Sequence, residues 1–214
     1  VLDDSLPKYL NSPDTIVFNK NRNLFGLNLA KKTTRQNLIL AEGYMGVIAL
    51  HQAGFDNAVA SLGTSLTEEQ SRLIMRYTGE VVISYDADEA GQKAASRAIG
   101  ILEKTGVSVK VLRMPGAKDP DEFIKKNGPE AFDTLLNRSE NHIAFRLLSI
   151  QARYNLIIDD QKIEFLKEAA RFLSGVDSFV EREVYSKMAA DAAGISQNAM
   201  DNEIKKEIQI RRSK

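Results

Sequence analysis

The alternation of strand-like and helix-like segments between residues 37 and 114 constrains the fold more than any other feature of this chain. Four short apolar segments are predicted strands, at residues 37–41, 57–61, 80–85 and 107–112. Segments with helical periodicity separate them, at residues 45–54, 67–79 and 88–106. Strands joined by helices of this length form βαβ units, so the sequence predicts an α/β fold with an open, mainly parallel, four-stranded sheet and flanking helices.

The rest of the chain departs from this pattern. Residues 119–214 are a succession of helical periods in which nothing indicates a strand, so we expect an all-α helical subdomain there. Residues 1–36 are rich in turn formers and carry more basic than acidic side chains, and their default interpretation is a solvated loop. The predicted domains are therefore residues 1–36, 37–118 and 119–214.

Composition excludes several classes of site. The 29 basic and 29 acidic side chains cancel, which excludes a uniformly basic nucleic-acid coat but not a local basic patch. The absence of cysteine and the presence of only 2 histidines argue against thiolate or histidine zinc sites. No apolar run approaches the roughly 18 residues of a membrane span, and no signal peptide is visible, so we expect a soluble cytoplasmic protein without a membrane partner. Because the chain does not begin with Met, we also expect it to be part of a longer one.

Acidic residues follow three of the four predicted strands. Glu42 follows the first strand, Asp86 and Asp88 follow the third, and Asp119 and Asp121 follow the fourth. In an open parallel sheet ligands bind outside the carboxyl ends of the strands, so these carboxylates should meet at one edge. Carboxylates so close together resist ionisation unless a cation lies among them. Mg²⁺ or Mn²⁺ suits such oxygen ligands, and these ions usually serve phosphate substrates.

Local structure offers another reason for several of these residues. Glu42 could be an ordinary turn residue at a strand end. Asp88 could cap the following helix, and Asp119 followed by Pro120 matches the preferred start of a helix. Asp86 is harder to explain in this way, because Asp is depleted in strands and this one directly follows a strand-like segment.

The motifs resemble a known family. Glu at the end of the first strand with Asp-x-Asp at the end of the third resembles the Toprim domain, which primases, topoisomerases and some nucleases share. Longer segments resemble bacterial DnaG-type primases in the family's order and spacing: PKYLNSPDT, LFGLNLA, AEGYMGVIALHQAGF, NAVASLGTSLTEEQ, YDADEAGQKAA and KDPDEFI. The resemblance covers essentially the whole chain.

This resemblance implies a fragment of the primase RNA polymerase core: the end of a basic subdomain, a Toprim domain and a helical subdomain. Such an enzyme synthesises short RNA primers on a single-stranded DNA template from ribonucleoside triphosphates, by two-metal nucleotidyl transfer during bacterial DNA replication. Zinc would belong only to an N-terminal domain absent here, and the replicative helicase would bind through a C-terminal domain also absent here. We expect the fragment to be monomeric.

The resemblance also assigns roles to particular residues. It implies five catalytic carboxylates: Glu42, Asp86, Asp88, Asp119 and Asp121. The first three of these would bind Mg²⁺ or Mn²⁺. It further implies three residues that contact template or nucleotide: Lys8, Asn11 and Lys20.

The chain departs from the family at Gly46. The family has Glu-Gly-Tyr-Met-Asp where this chain has Glu-Gly-Tyr-Met-Gly, so Gly46 replaces an aspartate of the acidic cluster. Glycine also costs roughly 1 kcal/mol against alanine inside a helix. We expect weaker metal binding with the core of the site still formed. Two alternatives stand beside primase activity. One is a Toprim metal-dependent nuclease that uses the same metals, and the other, because of Gly46, is a catalytically impaired fragment that binds metal or nucleotide.

Overall fold

The computed structural model describes residues 13–63 and 65–213, which form two compact units. The first unit extends to His142 and the second comprises Ile143–Lys214. This structural division lies beyond the boundary that the sequence places at residue 118, because two short helices after that point pack with the α/β part. The domain limits themselves stay a prediction.

The first unit is built on a five-stranded sheet with strand order β2-β1-β3-β4-β5. The strands are β1 Leu38–Ala41, β2 Ala58–Ala60, β3 Glu80–Ser84, β4 Ser108–Val111 and β5 Glu140–Asn141. The pairs among the first four are parallel, which confirms the predicted mainly parallel sheet. β5 pairs with β4 in the antiparallel direction, Lys110 facing Asn141. The prediction that nothing after residue 119 forms a strand was wrong here, since two residues are too few to show a periodicity.

Among the described residues of this unit, six α-helices and one 3₁₀ turn accompany the sheet. The 3₁₀ turn is Lys20–Arg22, and the helices are α1 Leu27–Ala30, α2 Tyr44–Gln52, α3 Glu68–Met75, α4 Glu89–Lys104, α5 Pro120–Asn127 and α6 Pro129–Asn137. The predicted capping box at the start of α3 is present, with Thr67 and Gln70 each satisfying a backbone N–H of the other.

The two faces of the sheet carry different helices. Apolar side chains of α2, α5 and α6 pack with Ile39, Ala41 and Val82, which lie on one face of the strands. Side chains alternate across a strand, so Leu40 and Val81 point to the opposite face. Right-handed crossovers place α2 and α4 on opposite faces, because β2 and β4 lie on opposite sides of β1 and β3. The order therefore reverses between β1 and β3, which is where open α/β sheets bind ligands.

The segment before β1 is anchored rather than loose. Gln70 donates to the carbonyl oxygens of Lys20 and Asn23, at 2.9 and 2.8 Å, and Phe25 bridges to Ala60 on β2. Gly26 has φ +81° and lies so close to the sheet that a Cβ there would be 2.7 Å from the Ala58 carbonyl oxygen. Interpreting residues 20–26 as a solvated loop was therefore wrong.

The second unit is helical, as predicted. Its helices are α7 His142–Gln151, α8 Asp159–Leu173, α9 Phe179–Ala193 and α10 Gln197–Arg212. They enclose an apolar core that includes Phe165, Leu173 and Met200. Ser178 accepts a hydrogen bond from the Glu181 N–H and so caps α9. No helix in the described part of the chain is both long and apolar enough to cross a membrane.

Candidate active site

Glu42 and Asp86 lie on the two sides of the point at which the strand order reverses. Glu42 directly follows β1 and Asp86 lies two residues beyond β3, and these strands pair in register with Ala41 opposite Ser84. The Glu42 carboxylate accepts a hydrogen bond from the Asp86 backbone N–H, with Oε2 to N at 3.2 Å. The parallel sheet therefore brings together two acidic residues that are 44 positions apart in sequence.

The Asp86 carboxyl group is held in an unfavourable environment for its charge. Partial burial is the largest cause, followed by repulsion from Glu42, Asp119 and Asp88, and together these raise the pKa of Asp86 from 3.8 to about 6. Lys118 opposes them only weakly. Among residues 13–63 and 65–213, the site therefore concentrates more negative charge than Lys118 offsets, which is an environment that favours a bound cation.

A cavity of about 460 Å³ opens at this edge of the sheet. Its lining includes Glu42, Gly46, Ser84, Asp86, Asp119 and Asp121. Ser84 is fully buried, and its hydroxyl has no hydrogen-bond partner in the described part of the chain. An orphaned buried hydroxyl beside two carboxylates is unfavourable unless something else in the cavity meets it.

The other predicted carboxylates take part in local structure. Asp88 caps α4 by accepting from the Gly91 N–H at 2.7 Å, and Asp119 caps α5 by accepting from the Glu122 N–H at 2.8 Å. Asp121 pairs with Lys125 at 2.5 Å. Asp88 and Asp119 therefore cap helices, which is the alternative that their positions in the sequence left open. Asp88 is also not among the residues that line the cavity.

Metal ligation at this site is incomplete in the present arrangement. Within residues 13–63 and 65–213, no group of three or more His, Cys, Asp or Glu side chains is placed to hold a metal ion. The donor chemistry nevertheless fits a hard divalent cation, because Glu42 and Asp86 offer carboxylate oxygens and Ser84 offers a hydroxyl that has no partner among the described residues. Asp88 and Asp119 could each add the carboxylate oxygen that their caps do not use.

Gly91 is a residue of the site that sequence reasoning missed. A Cβ on Gly91 would lie 2.2 Å from the carbonyl oxygen of Asp86, so only glycine allows α4 to approach this loop so closely. The loop is held from the other side by the Ala87 N–H, which donates to the Lys118 carbonyl oxygen at 2.9 Å. The only sequence signal was a glycine in the first turn of a helix that follows Asp-x-Asp.

Gly46 lies on α2 and lines the cavity. A Cβ at this position would be 3.3 Å from the Ala41 Cβ, which is tight but within reach of a small adjustment. A carboxylate at position 46 would therefore add to the wall of the cavity that already carries Glu42 and Asp86.

The structure describes only one of the three predicted template or nucleotide contacts, Lys20. Lys8 and Asn11 lie outside the described residues. Lys20 begins the 3₁₀ turn, and its backbone N–H donates to Asp14 Oδ1 at 3.0 Å. It is not among the residues lining the cavity.

Three family models match separate parts of the chain. A model described as "Toprim-like" matches residues 39–124, and one described as "DNA primase catalytic core, N-terminal domain" matches residues 1–31. A third, "DnaB-helicase binding domain of primase", matches residues 143–198. The sequence-based expectation put the helicase contact in a domain absent here, whereas this match falls within the chain.

Individual proteins are similar over nearly all of the chain. A DNA primase of Clostridium acetobutylicum is 45% identical over 98% of this chain, which covers 35% of that protein. The Escherichia coli primase catalytic core, as a solved structure, is 35% identical with a TM-score of 0.72, covering 92% of this chain and 64% of that one. A structure of the DnaG primase catalytic domain bound to ssDNA is 34% identical with a TM-score of 0.73, covering 93% and 65%. The chain spans about a third of the length of the curated relatives it matches.

Proposed function

The chain belongs to the bacterial DnaG-type DNA primases and has their Toprim fold, and on that premise we propose that it carries the metal-dependent nucleotidyl-transfer site of a primase. The enzyme would synthesise short RNA primers on single-stranded DNA. The observation that carries this proposal is the Glu42–Asp86 pair at the strand-order reversal, where a raised Asp86 pKa marks unbalanced negative charge.

In the proposed reaction, the 3′-hydroxyl oxygen of the growing strand bonds to the α-phosphorus of a ribonucleoside triphosphate. The bond from that phosphorus to the oxygen bridging to the β-phosphorus breaks, and pyrophosphate leaves. The hydroxyl proton passes to water or to a nearby carboxylate. Mg²⁺ or Mn²⁺ held by Glu42, Asp86 and Asp88 would supply Lewis-acid stabilisation of the charge that develops on the phosphate oxygens.

The chain's own residues would position and tune this site. Glu42 fixes the Asp86 backbone through its hydrogen bond, while Gly91 lets α4 pack directly on the same loop. Asp119 adds to the field that raises the Asp86 pKa. We propose that Asp121, which lines the cavity with Asp119, contributes to the same field, although its ion pair with Lys125 offsets part of its charge.

The proposed partners follow from the same membership. The template is single-stranded DNA, as in the ssDNA-bound DnaG structure, and Lys8, Asn11 and Lys20 are proposed to contact template or nucleotide. The match of residues 143–198 to a helicase-binding model supports a contact between the helical unit and a replicative helicase.

The test is a chimera in which this chain replaces the 210 matched residues of the Clostridium acetobutylicum DNA primase. Primer synthesis on single-stranded DNA is measured with ribonucleotides and Mg²⁺ or Mn²⁺, the unaltered relative serving as the positive control. We expect primers from the chimera and their loss in Asp86→Asn and Glu42→Gln.

A matched substitution, Glu130→Gln, removes an exposed carboxylate outside the cavity and should leave synthesis intact. Metal-dependent nicking of DNA without nucleotides, in a chimera that makes no primers, would instead support the nuclease alternative and contradict the proposal.

A further inference from the structure

A second cavity lies at the same edge of the sheet, on the side of α4. Its volume is about 400 Å³, and its lining includes Glu42, Ser61, Ser65, Tyr85, Ala94 and Arg97. It shares Glu42 and Gly63 with the first cavity, so the two meet at the ends of β1 and β2. A ligand bound at Glu42 in the first cavity can therefore extend into the second.

Two hydrogen-bond donors of this cavity have no partner within the described residues. Arg97 is exposed on α4 and makes neither an ion pair nor a hydrogen bond there. Tyr85 is only 8% exposed, yet its hydroxyl makes no hydrogen bond in that part of the chain. Among the described residues this hydroxyl is not one of the side-chain atoms that are both buried and unpartnered, so it opens onto the cavity and can donate to an acceptor on a ligand.

The side chains around Arg97 leave it accessible. Ala90, Ala94 and Ala98 line the cavity at four-residue spacing along α4, so the helix presents only methyl groups beside Arg97. Guanidinium groups present a planar array of donors that suits phosphate oxygens, and such bonds are stronger than those between neutral groups.

We propose that this second cavity binds the diphosphate portion of a nucleotide, or pyrophosphate itself, through Arg97 and Tyr85. The inference rests on the proposed function, because the diphosphate would be continuous with a nucleotide at Glu42 and Asp86. The Glu42 carboxylate forms a wall of both cavities and repels a bare diphosphate. Binding is therefore coupled to a divalent cation that neutralises Glu42.

Isothermal titration calorimetry of the whole chain with inorganic pyrophosphate, with and without Mn²⁺, tests this directly. We expect binding only with Mn²⁺, and a dissociation constant about tenfold weaker in Arg97→Ala, with a smaller loss in Tyr85→Phe. Mn²⁺ binding without pyrophosphate should be unchanged in both variants.

Lys93→Ala is the matched control, because it removes one positive charge from the same helix at a residue that pairs with Glu89 outside the cavity. It should alter pyrophosphate binding by less than about twofold. Equal affinities of Arg97→Ala and the unaltered chain would overturn the inference, and so would an unaltered chain that binds no pyrophosphate with Mn²⁺.

A second titration separates a diphosphate site from a general nucleotide contact. A ribonucleoside monophosphate lacks the diphosphate, so Arg97→Ala should not change its affinity, and an equal loss for both ligands would contradict the assignment. Primer synthesis by the chimera distinguishes the two proposals. If pyrophosphate binding depends on Arg97 but the chimera makes no primers, only the proposed function is contradicted. If the chimera makes primers but pyrophosphate binding does not depend on Arg97, only this inference is contradicted.

Discussion

The carboxylate of Glu42 accepts the backbone N–H of Asp86 across the reversal in strand order, with an N-to-O distance of 3.2 Å. The bond ties the end of β1 to the loop after β3. Its acceptor is also one of the charges that hinder ionisation of the Asp86 side chain. Glu42 thus both holds the loop after β3 in place and contributes to the raised pKa of Asp86.

Replacing Glu42 by Gln should separate these two effects. The amide oxygen of Gln can still accept the hydrogen bond, but the negative charge is gone, so we expect the pKa of Asp86 to fall from about 6. It should stay above 3.8, because burial is the largest cause of the shift. Carbon-detected NMR titration of the Asp86 carboxyl group measures this, and Glu130→Gln is the control that should leave the pKa in place.

Asp86 should make the protein less stable as the pH rises. Between pH 3.8 and about 6 the folded state holds a proton on Asp86 that the unfolded state has released, so the free energy of unfolding falls across this window. Asp86→Asn removes this titration. Its thermal midpoint should exceed that of the unaltered chain near pH 8 and approach it near pH 4.

Thermal melts at a series of pH values, recorded by circular dichroism in the presence of a chelator, provide the measurement. Saturating Mn²⁺ should raise the midpoint of the unaltered chain at pH 8 but raise that of Asp86→Asn less. A difference between the two proteins that does not vary with pH would contradict the expectation.

Gly91→Ala should be destabilising although it lies near the start of a helix. The added methyl group would lie 2.2 Å from the Asp86 carbonyl oxygen, so α4 or the loop must move, at a cost of about 1–3 kcal/mol or more. Gly100→Ala is the matched control on the same helix, because a Cβ there meets nothing within 4 Å. Gly100→Ala should stabilise by about 0.5–1 kcal/mol, and chemical denaturation measures both.

Gly46→Asp should strengthen Mn²⁺ binding. The new carboxylate would stand on the wall of the cavity that carries Glu42 and Asp86, so it adds an oxygen donor to an incomplete site. Gly46→Ala adds the same Cβ beside Ala41 and removes glycine from the helix without adding a charge, so comparing it with Gly46→Asp reports the effect of the carboxylate. Mn²⁺ titration that gives equal affinities for the three proteins would count against this idea.

The sheet could be predicted because its signals are local and repeated. Each of the first four strands has an apolar segment next to a helical period, whereas β5 has two residues and depends on its pairing with β4. The packing of residues 20–26 against the fold could not be predicted from their own sequence. It depends on the buried side chain of Gln70, which lies about 50 residues later in α3.

The site was predictable to the extent that parallel strands end together. That rule brings Glu42 and Asp86 to one edge, as the structure has them. It does not give the direction of a side chain, so the sequence left open whether Asp88 and Asp119 cap helices or face the cavity. The requirement for glycine at position 91 depends on the distance between a helix and a loop, which no local pattern records.

Gln70 has a consequence for the order in which the chain folds. Its side chain completes the capping box of α3 and also binds the carbonyl oxygens of Lys20 and Asn23, up to 50 residues earlier in sequence. The start of this helix is therefore stabilised by contacts between residues far apart in sequence. Forming them costs the entropy of closing the loop of about 50 residues between the two segments. We therefore expect the contacts of Gln70 with Lys20 and Asn23 to form late in folding, and to complete the stabilisation of the first turn of α3 only then.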